Sequence, residues 1–169
     1  MKKTFVIIIY SENTSGLLLK ITTMFLRRRI NIESLNVAAS EVEGIHRFTI
    51  VFNETAEATK KISMQIDKQV GVFKTFFQAD EEIVAQEHVL YKVSSTMEAM
   101  EKELQFMDVR CICVQDNYTI LETTCSAEIN KTVNAALVPF GIVEITKSGL
   151  IAVMHANLPI HQRLKQIEP

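Results

Sequence analysis

The sequence of 169 residues is poor in glycine, proline and cysteine, and its charges nearly balance. Five glycines leave little material for a glycine-rich phosphate-binding loop, and no GxGxxG, Walker, HExxH or GxSxG motif occurs. Three cysteines, an odd number, argue against the disulfide framework of a secreted domain. A formal net charge of -2 provides no positive field for nucleic acid or an anionic membrane surface, so we expect neither as a partner.

Long hydrophobic runs are also missing. The first apolar run ends at Tyr10, which makes it too short for a membrane span, and no small-residue cleavage site follows it. In contrast, 47% of the residues are hydrophobic and 22% are charged, which suffices for a buried core and excludes a disordered chain. We therefore expect a soluble cytoplasmic protein of one ordinary domain or two small ones.

The hydrophobic period in the first half alternates between the spacing of strands and that of helices. Phe5–Tyr10 is a continuous β-branched and aromatic run, typical of a central strand buried on both faces. Further strands are predicted at Ile30–Val37, His46–Phe52 and Val72–Phe77, with helices after Gly16 and from about Thr55 to Gln69. The resulting order, β-α-β-β-α-β, is that of a ferredoxin-like α+β domain.

The second half repeats this order. Strands are predicted at Val89–Val93, Val109–Gln115 and Tyr118–Thr124 and from Ile142 on, and helical apolar faces at Met97–Met107 and Ile129–Phe140. The polar, acidic stretch Gln78–Glu82 forms the natural joint between the halves. We predict two tandem ferredoxin-like (βαββαβ) domains at 1–78 and 87–155, a linker at 79–86 and a tail without clear period at 156–169.

Side chains with reactive chemistry show no catalytic pattern. The four histidines, at positions 46, 88, 155 and 161, are scattered. Cys111 and Cys113 lie two apart on one predicted strand and are expected to share a face of the sheet. For these and Cys125, burial as small hydrophobic residues is favoured over a thiolate metal site, which would want a fourth ligand. Arg27–Arg29 is interpreted as a solvated helix end rather than a phosphate contact.

One segment, Glu12–Leu18, does suggest a binding site. It connects a buried strand to a helix N-terminus, where free backbone N–H groups and the helix dipole favour an anion such as a carboxylate. Gly16 lets a ligand approach the backbone closely, and the Asn13 amide can both donate and accept hydrogen bonds. Leu17, Leu18 and Ile32 could supply an apolar slot. The alternative is plain helix capping by Ser15 or Thr14.

The motifs resemble those of the small regulatory subunit of acetolactate synthase (acetohydroxyacid synthase). Asn13–Leu18 resembles the family pattern N-E-x-S-G-x-L through Ser15, Gly16 and Leu18, and Asn31–Val37 matches N-I-E-S-L-x-V. Phe140–Gly149 is similar to the family's E-x-x-R-[ST]-G ending, with Lys147 in place of arginine. Arg29 stands where the family has glycine, so either it adopts an unusual backbone angle or the first helix ends differently.

The resemblance implies that the first domain is an ACT domain and that the chain has no catalytic activity of its own. It implies activation of a large catalytic subunit, which carries thiamine diphosphate, magnesium and FAD, whereas this chain binds no cofactor. It further implies feedback inhibition by a branched-chain amino acid, with valine favoured, bound where the ACT domains of a homodimer meet. The implied contacts are Asn13, Ser15, Gly16, Leu17 and Leu18 from one chain and Asn31 and Ile32 from the other.

A homodimer would also account for the helix after Gly16, which is apolar on more sides than one sheet can cover. Two alternatives remain open. One is a free-standing tandem ACT-type sensor that regulates a different enzyme or a transcription factor. The other is a small enzyme that uses the cysteines on a ferredoxin-like scaffold.

Overall fold

The computed structural model of the chain describes residues 1–79 and 82–155, which form two compact units. Of the described residues, one unit comprises 1–79, 82–84 and 150–155, and the other comprises Ala85–Gly149. Each unit contains a four-stranded sheet. The α+β class and the repeated βαββαβ order predicted from the sequence are confirmed.

The first unit has its strands and helices in the predicted order: β1 (Lys3–Glu12), α1 (Leu17–Arg27), β2 (Ile32–Ala39), β3 (Ile45–Glu54), α2 (Ala56–Asp67) and β4 (Val72–Ala79). The strands lie in the order β2-β3-β1-β4, and β1 runs antiparallel to both of its neighbours. β1 is therefore a central strand, whereas β2 and β4 form the edges of the sheet.

The core of the first unit lies between one face of this sheet and its two helices. It consists of Phe5, Ile7, Ile9, Leu17, Ile21, Phe25, Phe48, Ile50, Phe52, Ile62 and Ile66. The intervening β1 residues Val6, Ile8 and Tyr10 point to the other face and are buried as well. β1 is thus buried on both faces, as its continuous apolar sequence predicts.

Residues 150–155 belong to the first unit. The Leu150 N–H donates to Ser34 Oγ at 3.1 Å, and the Arg47 guanidinium donates to the Ala152 carbonyl. The predicted second domain, 87–155, includes this stretch, whereas the structure groups it with the first unit. The two hydrogen bonds give the physical reason, because they attach the stretch to β2 and β3.

The second unit repeats the architecture with β5 (Ile83–Val93), α3 (Met97–Leu104), β6 (Arg110–Gln115), β7 (Tyr118–Cys125), α4 (Ala127–Leu137) and β8 (Ile142–Met154). Residues 85–93 of β5 and 142–149 of β8 belong to this unit. Its strands lie in the order β6-β7-β5-β8. Its core comprises Val89, Tyr91, Val93, Met100, Leu104, Leu121, Val133 and Leu137. The predicted tail at 156–169 and positions 80 and 81 of the predicted linker lie outside the described residues.

A β-bulge in β6 corrects the predicted placement of two cysteines. Cys111 pairs with Leu121, but Cys113 pairs with Ile120, which is the adjacent residue of β7. Because adjacent residues of a strand face opposite sides, the two cysteines lie on different faces, and the prediction of a shared face is wrong. Cys111 packs against the core, Cys125 is buried, and all three thiols are free.

α1 ends in a Schellman motif built around a residue that is not glycine. The Arg29 N–H donates to the Leu26 carbonyl at 2.9 Å, and the Ile30 N–H donates to the Phe25 carbonyl at 3.0 Å. Arg29 has a φ of 56°, in the left-handed region, and within residues 1–79 and 82–155 no other non-glycine residue has a positive φ. Of the two alternatives stated for Arg29, the structure has the unusual backbone angle rather than a different helix end.

Candidate functional site

The predicted binding loop connects β1 to α1 and lies against the turn before β4. The Glu12 N–H donates to the Gly71 carbonyl at 2.8 Å, which fixes the end of β1. A Cβ on Gly71 would lie 3.6 Å from Thr14 Oγ1 and 3.7 Å from Leu17 Cδ2, so the turn and the loop are in close contact. Asn13, Ser15 and Gly16 are exposed on this loop.

Gly16 is the N-cap residue of α1 and adopts a left-handed conformation with a φ of 81°. No side chain caps the helix, and its first turn contains no acidic residue. The alternative of plain capping of α1 by Ser15 or Thr14 is therefore wrong. Because no side chain caps the positive end of α1 and its first turn contains no acidic residue, the backbone N–H groups there can still accept an anion.

The space beside Gly16 is open. Apart from the adjoining residues of the chain, no described atom lies within 4 Å of a Cβ built on this residue. A ligand group could therefore reach the backbone at the start of α1 without displacing a side chain.

Leu17 and Leu18 point in different directions. The Leu17 side chain is 2% exposed and belongs to the core, whereas Leu18 is 44% exposed. Only the Leu18 side chain can supply apolar surface to a ligand beside this loop. Any contribution of Leu17 would come from its backbone.

Asn31 and Ile32 lie at the far end of α1 from the loop. α1 has 11 residues, which at about 1.5 Å per residue separates its ends by about 16 Å. Asn31 is exposed and its Nδ2 donates to Glu33 Oε1 at 3.2 Å, while Ile32 packs against the edge of the core. One chain therefore does not bring together the two groups of predicted ligand contacts.

The outer side of α1 carries an apolar stripe. Leu18, Leu19 and Leu26 are 44%, 70% and 74% exposed, although α1 packs its other side into the core. The Thr22 hydroxyl lies between them and donates to the Leu18 carbonyl at 2.9 Å, so it is satisfied within the helix. The excess of apolar residues expected from the sequence is thus exposed on one side of α1.

A groove of about 470 Å³ lies between α1 and α2, lined by Leu19, Lys20, Thr23, Met24, Arg27, Gln65 and Gln69. None of the predicted ligand contacts lines it. Arg28 reaches across to α2, where its Nη2 donates to Gln65 Oε1 at 2.9 Å. This bond supports the interpretation of the arginine run as a helix end.

The second unit contains a buried polar network that sequence patterns did not predict. The Tyr91 hydroxyl donates to Asn130 Oδ1, and Asn130 Nδ2 donates to Glu87 Oε1 at 2.8 Å. The Lys147 ammonium lies 2.9 Å from the same Glu87 oxygen. Burial, followed by the charges of Cys125 and Glu87, raises the pKa of Tyr91 to about 12, so its hydroxyl remains a proton donor.

Two further features of the described residues bear on function. Within 1–79 and 82–155, no group of three or more His, Cys, Asp or Glu side chains is arranged to hold a metal ion. In the same part of the chain, no helix combines the length and apolar character needed to cross a membrane.

The βαββαβ unit that carries the loop is an ACT domain: the profile of the "AHAS small subunit-like ACT domain" matches residues 7–74. A second profile, "Small subunit of acetolactate synthase", matches residues 86–156. The crystal structure of the acetolactate synthase small subunit from Thermotoga maritima has the same fold, with a TM-score of 0.81. At 23% identity, the alignment covers 92% of this chain and 99% of that one.

Curated relatives extend the match over most of the chain. The acetolactate synthase small subunit of Mycobacterium bovis is 30% identical over 154 residues, which are 89% of this chain and 92% of the relative. That of Haemophilus influenzae is 31% identical over 146 residues, which are 84% of this chain and 90% of the relative. The chain belongs to the acetolactate synthase small subunit family, as its motifs indicate.

Proposed function

We propose that this protein is the regulatory subunit of an acetolactate synthase. It binds the large catalytic subunit, raises its activity, and transmits inhibition by a branched-chain amino acid. The observation that carries the proposal is the family match across both units. Thiamine diphosphate, magnesium and FAD belong to the catalytic partner, and this chain contributes binding surfaces rather than a reacting group.

The amino-acid site is proposed at the start of α1. The ligand carboxylate approaches the uncapped N-terminus beside Gly16, where first-turn N–H groups and the helix dipole favour negative charge. The exposed Asn13 amide and Ser15 hydroxyl lie on the same loop and can bind the polar groups of the ligand. Leu18 offers the apolar surface that a valine side chain needs.

A homodimer completes this site. Asn31 and Ile32 lie at the other end of α1, so they can reach a ligand at the loop only from a second chain. Two features favour such a dimer: the apolar stripe of α1, and the position of β2 at the edge of its sheet. A dimer in which two copies pair through α1 and β2 would cover both the apolar stripe and the open edge of the sheet.

Feedback inhibition requires more than tight binding. Valine must bind the less active arrangement of the complex better than the active one, since equal affinity would shift no population. A coupling free energy of about 1–3 kcal/mol would be typical of allosteric proteins. This coupling is reciprocal, so the large subunit must change the affinity of the small subunit for valine.

The decisive experiment combines co-purification with calorimetry. The full chain is expressed with the large subunit from the same genome, and synthase activity is measured with and without the chain. Valine is then titrated into the isolated chain and into the complex. We expect activation, saturable valine binding and a different affinity in the complex. A chain that binds valine but neither binds nor activates the synthase would instead support the free-standing sensor.

A further inference from the structure

The second unit contains a cavity of about 200 Å³ between α4 and β8. It is lined by Tyr91, Ala127, Asn130, Lys131, Asn134, Ile145 and Lys147. The four residues from α4 follow the spacing i, i+3, i+4 and i+7, which places them on one face of that helix. Ser126 caps α4 by accepting from the Ile129 N–H, so the cavity does not depend on an open helix end.

A network of hydrogen bonds forms the floor of the cavity. Tyr91 and Asn130, 0% and 5% exposed, are joined by the hydrogen bond from the Tyr91 hydroxyl to the Asn130 amide oxygen. Glu87 accepts from Asn130 Nδ2 at 2.8 Å and from the Lys147 ammonium at 2.9 Å. Because these groups satisfy one another, they hold the cavity in one shape and fix the position of the Lys147 charge.

One lining group is not satisfied. The Asn134 amide oxygen is buried and has no hydrogen-bond partner among the described residues. Buried acceptors of this kind are rare in folded proteins, because desolvation without a partner is unfavourable. The cavity therefore offers a hydrogen-bond acceptor that is suited to a donor on a bound molecule.

The charges around the cavity favour an anion. Two lysines, Lys131 and Lys147, are among the described residues that line it, and none of these lining residues is acidic. Glu87 pairs with the Lys147 ammonium, so the charge of Lys131 is not balanced within the lining. Ile145 adds an apolar wall. At about 30 Å³ per water molecule, the volume holds roughly six or seven waters, or a small organic acid in their place.

We propose that the second unit binds a small carboxylic acid with a hydrogen-bond donor next to its carboxylate, as in a 2-amino or 2-hydroxy acid. The lysine ammonium groups bind the carboxylate, and the Asn134 oxygen accepts from the amino or hydroxyl group. Ile145 contacts the aliphatic part of the molecule. This site is separate from the one proposed at the start of α1 and does not rest on it.

The test uses the isotope-labelled full chain and NMR signals of α4: the backbone amides of Ala127, Asn130 and Lys131 and the side-chain amide of Asn134. The probes are L-valine, L-2-hydroxyisovalerate and 2-oxoisovalerate, which share one carbon skeleton. We expect saturable shifts with the first two acids. The oxo acid lacks the donor, so it should bind at least about tenfold more weakly.

Matched lysine variants test the site. Lys131→Gln should weaken binding at least about tenfold, whereas Lys102→Gln, at an exposed position on α3, should leave it unchanged. Asn134→Leu should abolish the preference for the amino and hydroxy acids. The proposal is overturned if no probe gives saturable α4 shifts up to about 10 mM. It is also overturned if the two lysine variants bind equally or the three acids bind alike.

Discussion

The substitution Gly16→Asp tests the proposed carboxylate site most directly. Gly16 is the N-cap of α1, and a Cβ there enters open space, so an aspartate can be accommodated sterically. Its φ of 81° is unfavourable for most residues, but aspartate and asparagine tolerate this region at a cost of about 1 kcal/mol. An aspartate can also accept first-turn N–H groups, which offsets part of that cost.

The expected loss of valine binding follows from charge repulsion. Two carboxylates about 5 Å apart at an effective dielectric constant of about 20 repel each other by about 3 kcal/mol. This corresponds to a roughly hundredfold weaker affinity. The introduced carboxylate would also compete for the N–H groups that the ligand needs. Valine inhibition should therefore disappear over the range that inhibits the unsubstituted complex, while activation of the large subunit remains.

Gly16→Asn is the matched control because asparagine has nearly the same shape and the same backbone requirement but no charge. We expect it to change valine affinity by less than about tenfold. Calorimetry gives the affinity, and synthase assays give activation and inhibition. Equal losses in both variants would refute the electrostatic reasoning. Retained valine inhibition in Gly16→Asp would refute the position of the site.

Three further predictions concern stability, measured by urea unfolding. Arg29 has a φ of 56°, so Arg29→Gly removes backbone strain and should raise the free energy of unfolding by about 1 kcal/mol. Arg27 lies within α1, so Arg27→Gly should lower the free energy of unfolding by about 1 kcal/mol. Changes of the same sign in the two variants would contradict this reasoning. Gly141 has a φ of 80°, and Gly141→Ala places a Cβ against Ser94 Oγ, so this variant should lower the free energy of unfolding by about 2 kcal/mol. Adding Ser94→Ala should recover part of this loss. If the double variant shows no recovery, the steric contribution is contradicted. Because burial raises the pKa of Tyr91 to about 12, the folded state holds this proton more tightly than the unfolded one. The resulting stability is full below about pH 10 and is lost as the pH rises towards 12. Tyr91→Phe should flatten this decline, and an unchanged slope would contradict the assignment.

The fold could be predicted largely because its signals are local. A period of two residues identifies strands, a period near 3.6 identifies helices, and their order leaves few topologies. Arg29 shows how far such reasoning reaches, since an arginine in place of the usual glycine implied either an unusual backbone angle or a different helix end, and the structure contains the first. The bulge in β6 shows its limit, because one extra residue reverses the face of Cys113 without altering the apolar pattern.

The candidate site was predictable only in part. The motif located the loop, but the conformation of Gly16, rather than Ser15 or Thr14, determines the start of α1. Leu17 and Leu18 are adjacent and chemically identical, yet only packing decides that the first is in the core and the second is exposed.

By itself, then, the sequence determined the two βαββαβ units, the central position of β1 and the family, all of which depend on patterns within short stretches of chain. The tertiary structure alone decided which polar groups meet. Glu87 and Lys147 lie 60 positions apart in sequence but 2.9 Å apart in space. The open helix end beside Gly16 and the unpaired oxygen of Asn134 likewise depend on what packing leaves nearby. The physical reason is that hydrophobic periodicity specifies which side of an element is buried, whereas a binding site depends on distances between elements that no local pattern encodes.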